Sequence, residues 1–245
     1  FLNDTLANML AMSCFFWFFV LSIPTGMLMN KIGRKKTVLL SFVLQIIAFC
    51  IPLIAYDFIF IIIAFAFVGL GNTLLQVSLN PLVTNVVNKE KLTVTLTLRQ
   101  FVKAISSFLG PIITSWGVGI VFGWKIIFPV YAATSLIALI WLWLSPIKES
   151  ERGEAVSFRV TLGLFKDKYI VAFFIGILVL VGVDVGMNTT FPKLLMEKAG
   201  LALNEAGLGN SVYFFARTLG ALGGGVFLLK YPEQKFFKYS VFLAV

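Results

Sequence analysis

Seven long apolar runs constrain the fold of this 245-residue sequence more than any other feature. A helix needs about 20 mostly apolar residues to cross a bilayer, whereas membrane β-strands form alternating segments of about ten residues. Only 13% of the residues are charged, about half the content of a soluble domain, which excludes an ordinary soluble enzyme and a disordered chain. We predict membrane-spanning helices at residues 5–29, 37–56, 58–83, 98–122, 124–144, 169–191 and 206–229, with an eighth beginning near Phe237.

The distribution of lysine and arginine predicts the orientation of these helices. Cytoplasmic loops of membrane proteins carry an excess of both residues. Of the 20 in this sequence, fourteen fall in alternate loops on one side of the predicted bilayer, three on the other side and three inside spans. We expect the basic loops, which include residues 31–36, 89–91 and 145–168, to be cytoplasmic. The net charge of +9 therefore orients the chain and does not indicate a nucleic-acid partner.

Two segments indicate an internal repeat. Residues 26–36 (GMLMNKIGRKK) and 225–235 (GVFLLKYPEQK) share a glycine and two lysines at a constant offset of 199 residues. A Leu-Asn-acid triplet precedes each span, at residues 2–4 and 203–205, where Asn or an acid can cap a helix. Parallel repeats of whole halves are one architecture of membrane transporters. The first predicted span therefore corresponds to the seventh.

The repeat also predicts how the chain is divided. The span at residues 169–191 has no visible counterpart, which would precede Phe1, so we expect a fragment that contains helices two to eight of twelve and part of the ninth. We predict an N-terminal half without its first helix at residues 1–144. A cytoplasmic central loop with a short surface helix follows at residues 145–168, and the C-terminal half starts at residues 169–245.

The basic loop after the first span carries a recognisable pattern. Its positions are Gly26, Leu28, Gly33, Arg34 and Lys35. They resemble the loop between helices two and three of the major facilitator superfamily, G-x-L-x-D-R-x-G-R-[RK]-x, although Asn30 replaces the usual Asp and Lys31 the usual Arg. The resemblance implies a gating role for Gly26, Gly33 and Arg34. We expect a close helix approach at Gly26 and a turn at Gly33.

Two further stretches look like the sugar-porter branch of this superfamily that includes fucose permease: residues 69–81 (GLGNTLLQVSLNP) and 98–110 (LRQFVKAISSFLG). Asn80-Pro81 matches a pair in the fourth helix of that branch, and Gln100 with Lys103 matches a Gln and a polar residue in the fifth. The resemblance implies a twelve-helix fold of two six-helix halves, a central cavity and alternating access. Gln76 stands where that branch has a proton-coupling acid, so the sequence departs from the branch at this position.

Polar residues inside spans are costly and usually face a cavity or one another. In the third span, Asn72, Gln76 and Asn80 recur every four residues and share one helix face. Their carboxamides supply both donors and acceptors, which suits the hydroxyl groups of a sugar. We interpret them as substrate-binding residues, with hydrogen bonding between helices as the alternative.

The fourth span has a second polar face of Gln100, Lys103 and Ser107. Lys103 is expected near the bilayer midplane, where it needs a counter-charge, water or an anionic substrate. We interpret all three as substrate-binding. Arg99 lies one turn closer to the inner surface, where its side chain can instead reach the interface.

The sixth and seventh spans contain Asp184, Asn188 and Arg217. Asp184 is the only acid deep in a predicted span, and we predict that it couples transport to an ion. It is also a candidate partner of Lys103 or of Arg217, and a purely structural ion pair with Arg217 is the alternative. Asn188 lies one turn after Asp184, and we interpret it as a further substrate-binding residue.

Together these features predict an all-α membrane protein with the major facilitator fold. The predicted function is secondary active transport of a small polar solute, a sugar, by alternating access with a cation, H⁺ or Na⁺. The expected location is a bacterial inner membrane, with the lipid bilayer and a small molecule as partners and a functional monomer. We expect no enzymatic activity, cofactor, metal or nucleic-acid partner. The alternatives are a carrier of organic anions such as acidic sugars, and a polytopic receptor or sensor.

Overall fold

The computed structural model describes residues 4–55, 57–117, 123–147, 149, 158–230 and 232–244. The helices are α1 (Asp4–Ile32), α2 (Arg34–Ile54), α3 (Phe58–Val86), α4 (Lys89–Gly117), α5 (Ile127–Leu144), α6 (Phe158–Gly163), α7 (Lys168–Ala199), α8 (Leu203–Lys230) and α9 (Glu233–Ala244). Short 3-10 turns, Gly123–Ile126 and Leu164–Lys166, precede α5 and α7. Each of the seven predicted spans corresponds to one long helix, which confirms the predicted all-α architecture.

Within the described residues, six helices are long and apolar enough to cross a bilayer, namely α1, α2, α3, α5, α7 and α8. The seventh long helix, α4, has 29 residues and is more polar, because it includes Arg99, Lys103 and three charged residues in its first turn. It begins at Lys89, nine residues before the predicted start at 98, since charged residues are tolerated where a helix leaves the hydrocarbon core. Residues 118–122 of the predicted span lie outside the described residues.

The predicted short helix in the central loop is present as α6, and its Phe158 and Leu162 side chains are exposed. Phe165 follows it and packs edge-on against Phe174, with ring centroids 5.2 Å apart. Of the predicted polar linker at residues 148–154, only Glu149 is among the described residues.

The helices form two compact units whose residues alternate along the sequence. The first contains Phe1–Val86 and Lys125–Phe174, and the second contains Val87–Trp124 and Ile175–Val245. α1, α2, α3 and α5 therefore belong to the first unit, while α4, α8, α9 and most of α7 belong to the second. The division into repeat-related halves at residues 145–168 stays a prediction.

In the first unit α3 packs against α1 on one side and α2 on the other, with small residues at both contacts. A Cβ at Gly69 would lie 2.7 Å from the main-chain oxygen of Cys14 in α1, and one at Gly71 would lie 3.0 Å from that of Ser41 in α2. Lipid chains are as apolar as the helix surfaces, so close backbone approach through small residues supplies much of the packing energy. α5 completes the unit against α2, where the rings of Phe49 and Tyr131 are 5.4 Å apart.

The predicted close helix approach at Gly26 is wrong for the described part of the chain. A Cβ at Gly26 would meet no heavy atom within 4 Å, and the close approaches of the first unit occur at Gly69 and Gly71 instead. The predicted turn at Gly33 is confirmed. Its φ of 99° lies in a region that L side chains rarely adopt, and it separates α1 from α2 by a single residue.

In the second unit α4 and α8 run antiparallel along much of their length. Near one end a Cβ at Gly225 would lie 3.2 Å from the Thr97 side chain. Near the other, the Ser211 hydroxyl donates to the Phe108 main-chain oxygen at 3.3 Å, and the rings of Phe108 and Phe215 are 5.9 Å apart. α8 begins with a cap, because Glu205 accepts a hydrogen bond from the main-chain N–H of Ala202. This agrees with the capping role predicted for the acid of the Leu-Asn-acid triplet.

Substituting Gly69 with alanine tests the contact between α1 and α3. The added methyl group meets the Cys14 backbone, which can give way only if the helices separate, so we expect the free energy of unfolding to fall by about 1–3 kcal/mol. Thermal unfolding of the purified protein in detergent measures the effect. Gly26→Ala is the control and should be neutral or slightly stabilising, since alanine favours helix by about 1 kcal/mol over glycine. Equal destabilisation by both substitutions would contradict the packing described here.

Candidate functional site

The middle of α3 presents three carboxamides in a mostly apolar helix. Asn72 is half-buried, and Gln76 and Asn80 are exposed. Neither Asn72 nor Gln76 forms a hydrogen bond with another residue in the described part of the chain, whereas the Thr73 hydroxyl donates to its own helix at the oxygen of Gly69. Hydrogen bonding between helices, the alternative explanation for these two amides, is therefore not observed.

Lys103 lies at the centre of α4, as the fifteenth of its 29 residues, and its side chain is exposed. On insertion scales a lysine at the centre of a membrane helix costs about 2.5–3.5 kcal/mol. Gln100, one turn earlier, is also exposed. Ser107 is half-buried, and its hydroxyl donates to the main-chain oxygen of Lys103 at 3.1 Å. The predicted polar face of α4 is therefore partly accessible, with Lys103 at its middle.

An ion pair joins α7 and α8. Arg217 Nη1 lies 2.5 Å from both carboxylate oxygens of Asp184, and the Tyr213 hydroxyl donates to Asp184 Oδ1 at 2.9 Å. The side chains of Arg217 and Asp184 are 37% and 26% exposed, so the described residues cover the pair only in part. The sequence analysis proposed Lys103 or Arg217 as the partner of Asp184, and the structure shows Arg217. Tyr213 is a further partner that the sequence analysis did not propose.

A second polar link between α7 and α8 depends on a proline. Pro192 in α7 has no N–H to donate to the oxygen of Asn188, one turn earlier. Asn210 of α8 donates to that oxygen at 3.0 Å, while the Asn188 side chain donates to the oxygen of Asp184 at 2.9 Å. Asn188 thus has a structural role in addition to its predicted place at a substrate site. The sequence analysis missed Asn210, although it shares a helix face with Tyr213 and Arg217.

The cations of the second unit outnumber its central acid. Lys103 and Arg99 of α4 and Arg217 of α8 belong to this unit together with Asp184 of α7. No acidic side chain in the described part of the chain forms a salt bridge with Lys103, because Asp184 is bound by Arg217 and Tyr213. Asp184, the acid that could have neutralised Lys103, is therefore paired with Arg217 instead.

Two charged residues, Glu149 and Lys35, join the start of α2 to the end of α5 and the segment that follows it. Glu149 accepts hydrogen bonds from the main-chain N–H groups of Arg34 at 2.8 Å and Lys35 at 2.7 Å. Lys35 Nζ in turn donates to the oxygens of Trp143 at 3.1 Å and Ser145 at 2.7 Å. An acid thus lies at a helix N-terminus and a lysine at a helix C-terminus, where the helix dipoles favour them.

The same contacts explain the glycine at position 33. A Cβ on Gly33 would lie 2.8 Å from Glu149 Oε2, so a larger residue would displace the carboxylate. Arg34 contributes its main-chain N–H to this arrangement. Glu149 was missed by the sequence analysis, because a single acid in a polar loop carries no spacing that indicates its partner.

The comparisons with known proteins agree with the fold. The family model described as Major Facilitator Superfamily matches residues 2–245. Two glucose/galactose transporters, from Brucella abortus biovar 1 (strain 9-941) and Brucella abortus (strain 2308), are each 25% identical to the chain over 264 residues. The match covers 97% of this chain and 62% of theirs, so the chain spans less than two thirds of the length of these relatives.

A solved structure shows the same fold at lower identity. The crystal structure of the fucose:proton symporter of E. coli superposes with a TM-score of 0.76 and 14% identity. The superposition covers 95% of this chain and 65% of that one. Together with the family match, it confirms the predicted major facilitator fold.

A double-mutant cycle tests the Asp184–Arg217 pair. We expect Asp184→Asn, Arg217→Gln and the double variant to give a coupling energy of about 1–3 kcal/mol in unfolding experiments, because each single change leaves a charged partner behind. Lys193 and Glu197, 3.9 Å apart and more than half exposed, are the control pair and should couple by less than about 0.5 kcal/mol. Similar coupling in both pairs would contradict the central role given to Asp184 and Arg217.

Replacing Glu149 tests the link between α2 and α5. Glu149→Ala removes two charge-assisted hydrogen bonds at a helix N-terminus, and we expect a loss of about 1–3 kcal/mol in unfolding free energy. Glu149→Gln keeps an acceptor oxygen and should lose less. The measurement is thermal unfolding, with Glu197→Ala as a control that removes an exposed acid elsewhere. No difference between Glu149→Ala and this control would show that the link contributes nothing.

Proposed function

Because the chain belongs to the major facilitator superfamily, we propose that it carries out secondary active transport of a sugar across a membrane by alternating access. One observation supports this proposal most directly. The amides of Asn72 and Gln76, in the middle of an apolar helix, form no hydrogen bond with any described residue. Amides that form no hydrogen bond inside a span are costly unless a solute or water binds them. With Asn80, they offer donors and acceptors of the kind that sugar hydroxyls require.

The relatives support a sugar as the solute. The similar Brucella proteins are described as glucose/galactose transporters, and the solved protein with this fold is a fucose:proton symporter. We extend this substrate class to the present chain on the strength of the polar helix faces. Gln100, Lys103 and Ser107 of α4 and Asn188 of α7 keep the substrate-binding role that the sequence predicts. A receptor or sensor is not supported, since the family model matches residues 2–245.

Cation coupling is proposed at Asp184. Its carboxylate is bound by Arg217 and Tyr213, so a proton that neutralises Asp184 would remove the charge that attracts Arg217. A sodium ion would compete with Arg217 for the same oxygens. In either case ion binding weakens a link between α7 and α8, which gives the ion a way to bias the equilibrium between two conformations.

The proposed orientation places the basic loops in the cytoplasm and the chain in a bacterial inner membrane, as a monomer. The loop that contains Gly33 and Arg34, held by Glu149, then lies at the inner surface and serves as the gating segment. All proposed steps are binding events and conformational changes, and we propose no covalent catalysis.

Counterflow in proteoliposomes tests the proposed function. The full-length protein is reconstituted, loaded with unlabelled sugar and presented with labelled sugars from a panel of neutral and acidic hexoses. We expect transient accumulation of at least one labelled sugar in the preloaded vesicles. In vesicles without preloaded sugar we expect net uphill accumulation only when a proton or sodium gradient is imposed. Failure to exchange any sugar in folded, correctly inserted protein would overturn the proposal.

Gln76→Ala tests the α3 amides in the same assay. Loss of a hydrogen bond to substrate costs about 1–2 kcal/mol, so we expect KM for the transported sugar to rise about 5- to 30-fold. Asn88→Ala is the matched control, since Asn88 is an exposed amide in the connection between α3 and α4, and its KM should stay within about twofold. An unchanged KM in Gln76→Ala would remove α3 from the proposed site.

A further inference from the structure

We propose that the end of α5 binds an anionic phospholipid, with an acyl chain in an apolar groove and the headgroup phosphate at Lys35. The groove has a volume of about 600 Å³ and is lined by Ile137, Ile140, Trp141, Leu144, Ser145 and Pro146. The inference concerns a lipid site and does not depend on which solute the protein transports.

The groove suits a hydrocarbon chain. Its lining is apolar apart from Ser145, whose hydroxyl already donates to the main-chain oxygen of Trp141 at 2.7 Å. Four large apolar side chains of α5, at positions 137, 140, 141 and 144, remain exposed in the described part of the chain. The volume falls in the range of small-molecule sites, about 300–1,000 Å³.

Two tryptophans indicate where the groove lies in the bilayer. Trp141 and Trp143, in the last turn of α5, are 74% and 69% exposed, and tryptophan is enriched at the boundary between the hydrocarbon core and the headgroups. From this boundary the groove extends back along α5 to Ile137, about 10 Å of helix. A chain that lies in the groove therefore brings its headgroup to Ser145 and Pro146.

A lysine is held at the headgroup end of the groove. Lys35 Nζ donates to the main-chain oxygen of Ser145, a lining residue, at 2.7 Å and to that of Trp143 at 3.1 Å. An ammonium group has three N–H bonds to donate, so one remains for a phosphate oxygen. Because the two main-chain oxygens already fix the side chain of Lys35, little conformational entropy is lost when a headgroup binds.

The charge of the neighbouring residues favours an anionic headgroup over a zwitterionic one. Residues 31–36 contain four cations, of which Lys31 and Lys36 are exposed. Glu149 is the described carboxylate bound to this segment, through the main-chain N–H groups of Arg34 and Lys35. Basic segments at a membrane surface attract anionic lipids. A choline headgroup would instead bring a further positive charge to the same place.

The test measures lipid binding to full-length, delipidated protein in detergent. Phosphatidylglycerol and phosphatidylcholine with the same brominated acyl chains are titrated separately, and quenching of tryptophan fluorescence reports binding. We expect apparent affinity for phosphatidylglycerol to be higher by about fivefold or more. Lys35→Gln should lower this preference at least threefold, while Lys35→Arg keeps it. Lys198→Gln is the matched control, since it removes a lysine from the end of α7, and it should leave the preference unchanged.

Tryptophan variants locate the bound chain. The additional quenching by phosphatidylglycerol should disappear in Trp141→Phe and persist in Trp116→Phe, which removes a similarly exposed tryptophan from α4. If Trp141→Phe leaves that difference intact, the chain lies elsewhere and the inference is overturned.

Three further results would overturn the proposed site. They are equal affinity for the two lipids, an unchanged preference in Lys35→Gln, and displacement of the lipid by an equal concentration of glycerol phosphate. The last result would show a phosphate site that needs no acyl chain. None of these measurements requires transport, so they stand apart from the test of the proposed function.

Discussion

The whole structure depends on the absence of water from the interior of a bilayer. Every main-chain N–H and C=O group there must find a partner within the protein, and the chain meets this requirement with long helices. The same constraint acts on side chains, since a polar group without water must pair, line a cavity or raise the energy of the fold. The polar residues inside these helices are therefore the most informative part of the molecule.

The described polar residues satisfy this constraint in two ways. Asp184, Tyr213 and Arg217 bind one another and join α7 to α8. Asn72 and Gln76 in α3 form no hydrogen bond with any described residue, and Lys103 in α4 has no salt bridge within the same part of the chain. The first group is suited to hold helices together and to respond to an ion. The second group has binding capacity left for a solute, and this difference supports the proposed division between coupling and substrate sites.

Sequence analysis predicted the fold well, because span length and apolar content follow directly from bilayer thickness. It predicted the turn at Gly33 from the family pattern, and the structure supplies the reasons for the glycine, a positive φ and the neighbouring Glu149 carboxylate. The close approach predicted at Gly26 is absent from the described part of the chain, since a glycine within a helix does not reveal which side a neighbour packs on. Glu149 was missed and the partner of Asp184 was left open, because both depend on contacts between segments far apart in sequence.

The proline of α7 has a mechanical consequence. In an uninterrupted helix the oxygen of Asn188 would bind an N–H of its own helix, but Pro192 has none, and the oxygen is bound by Asn210 of α8. α7 therefore lacks one hydrogen bond that would normally stiffen it, and the oxygen of Asn188 instead forms a hydrogen bond that links α7 to α8. Bending α7 at this point changes the strain on α8, so the flexibility of one helix is set in part by a side chain of the other.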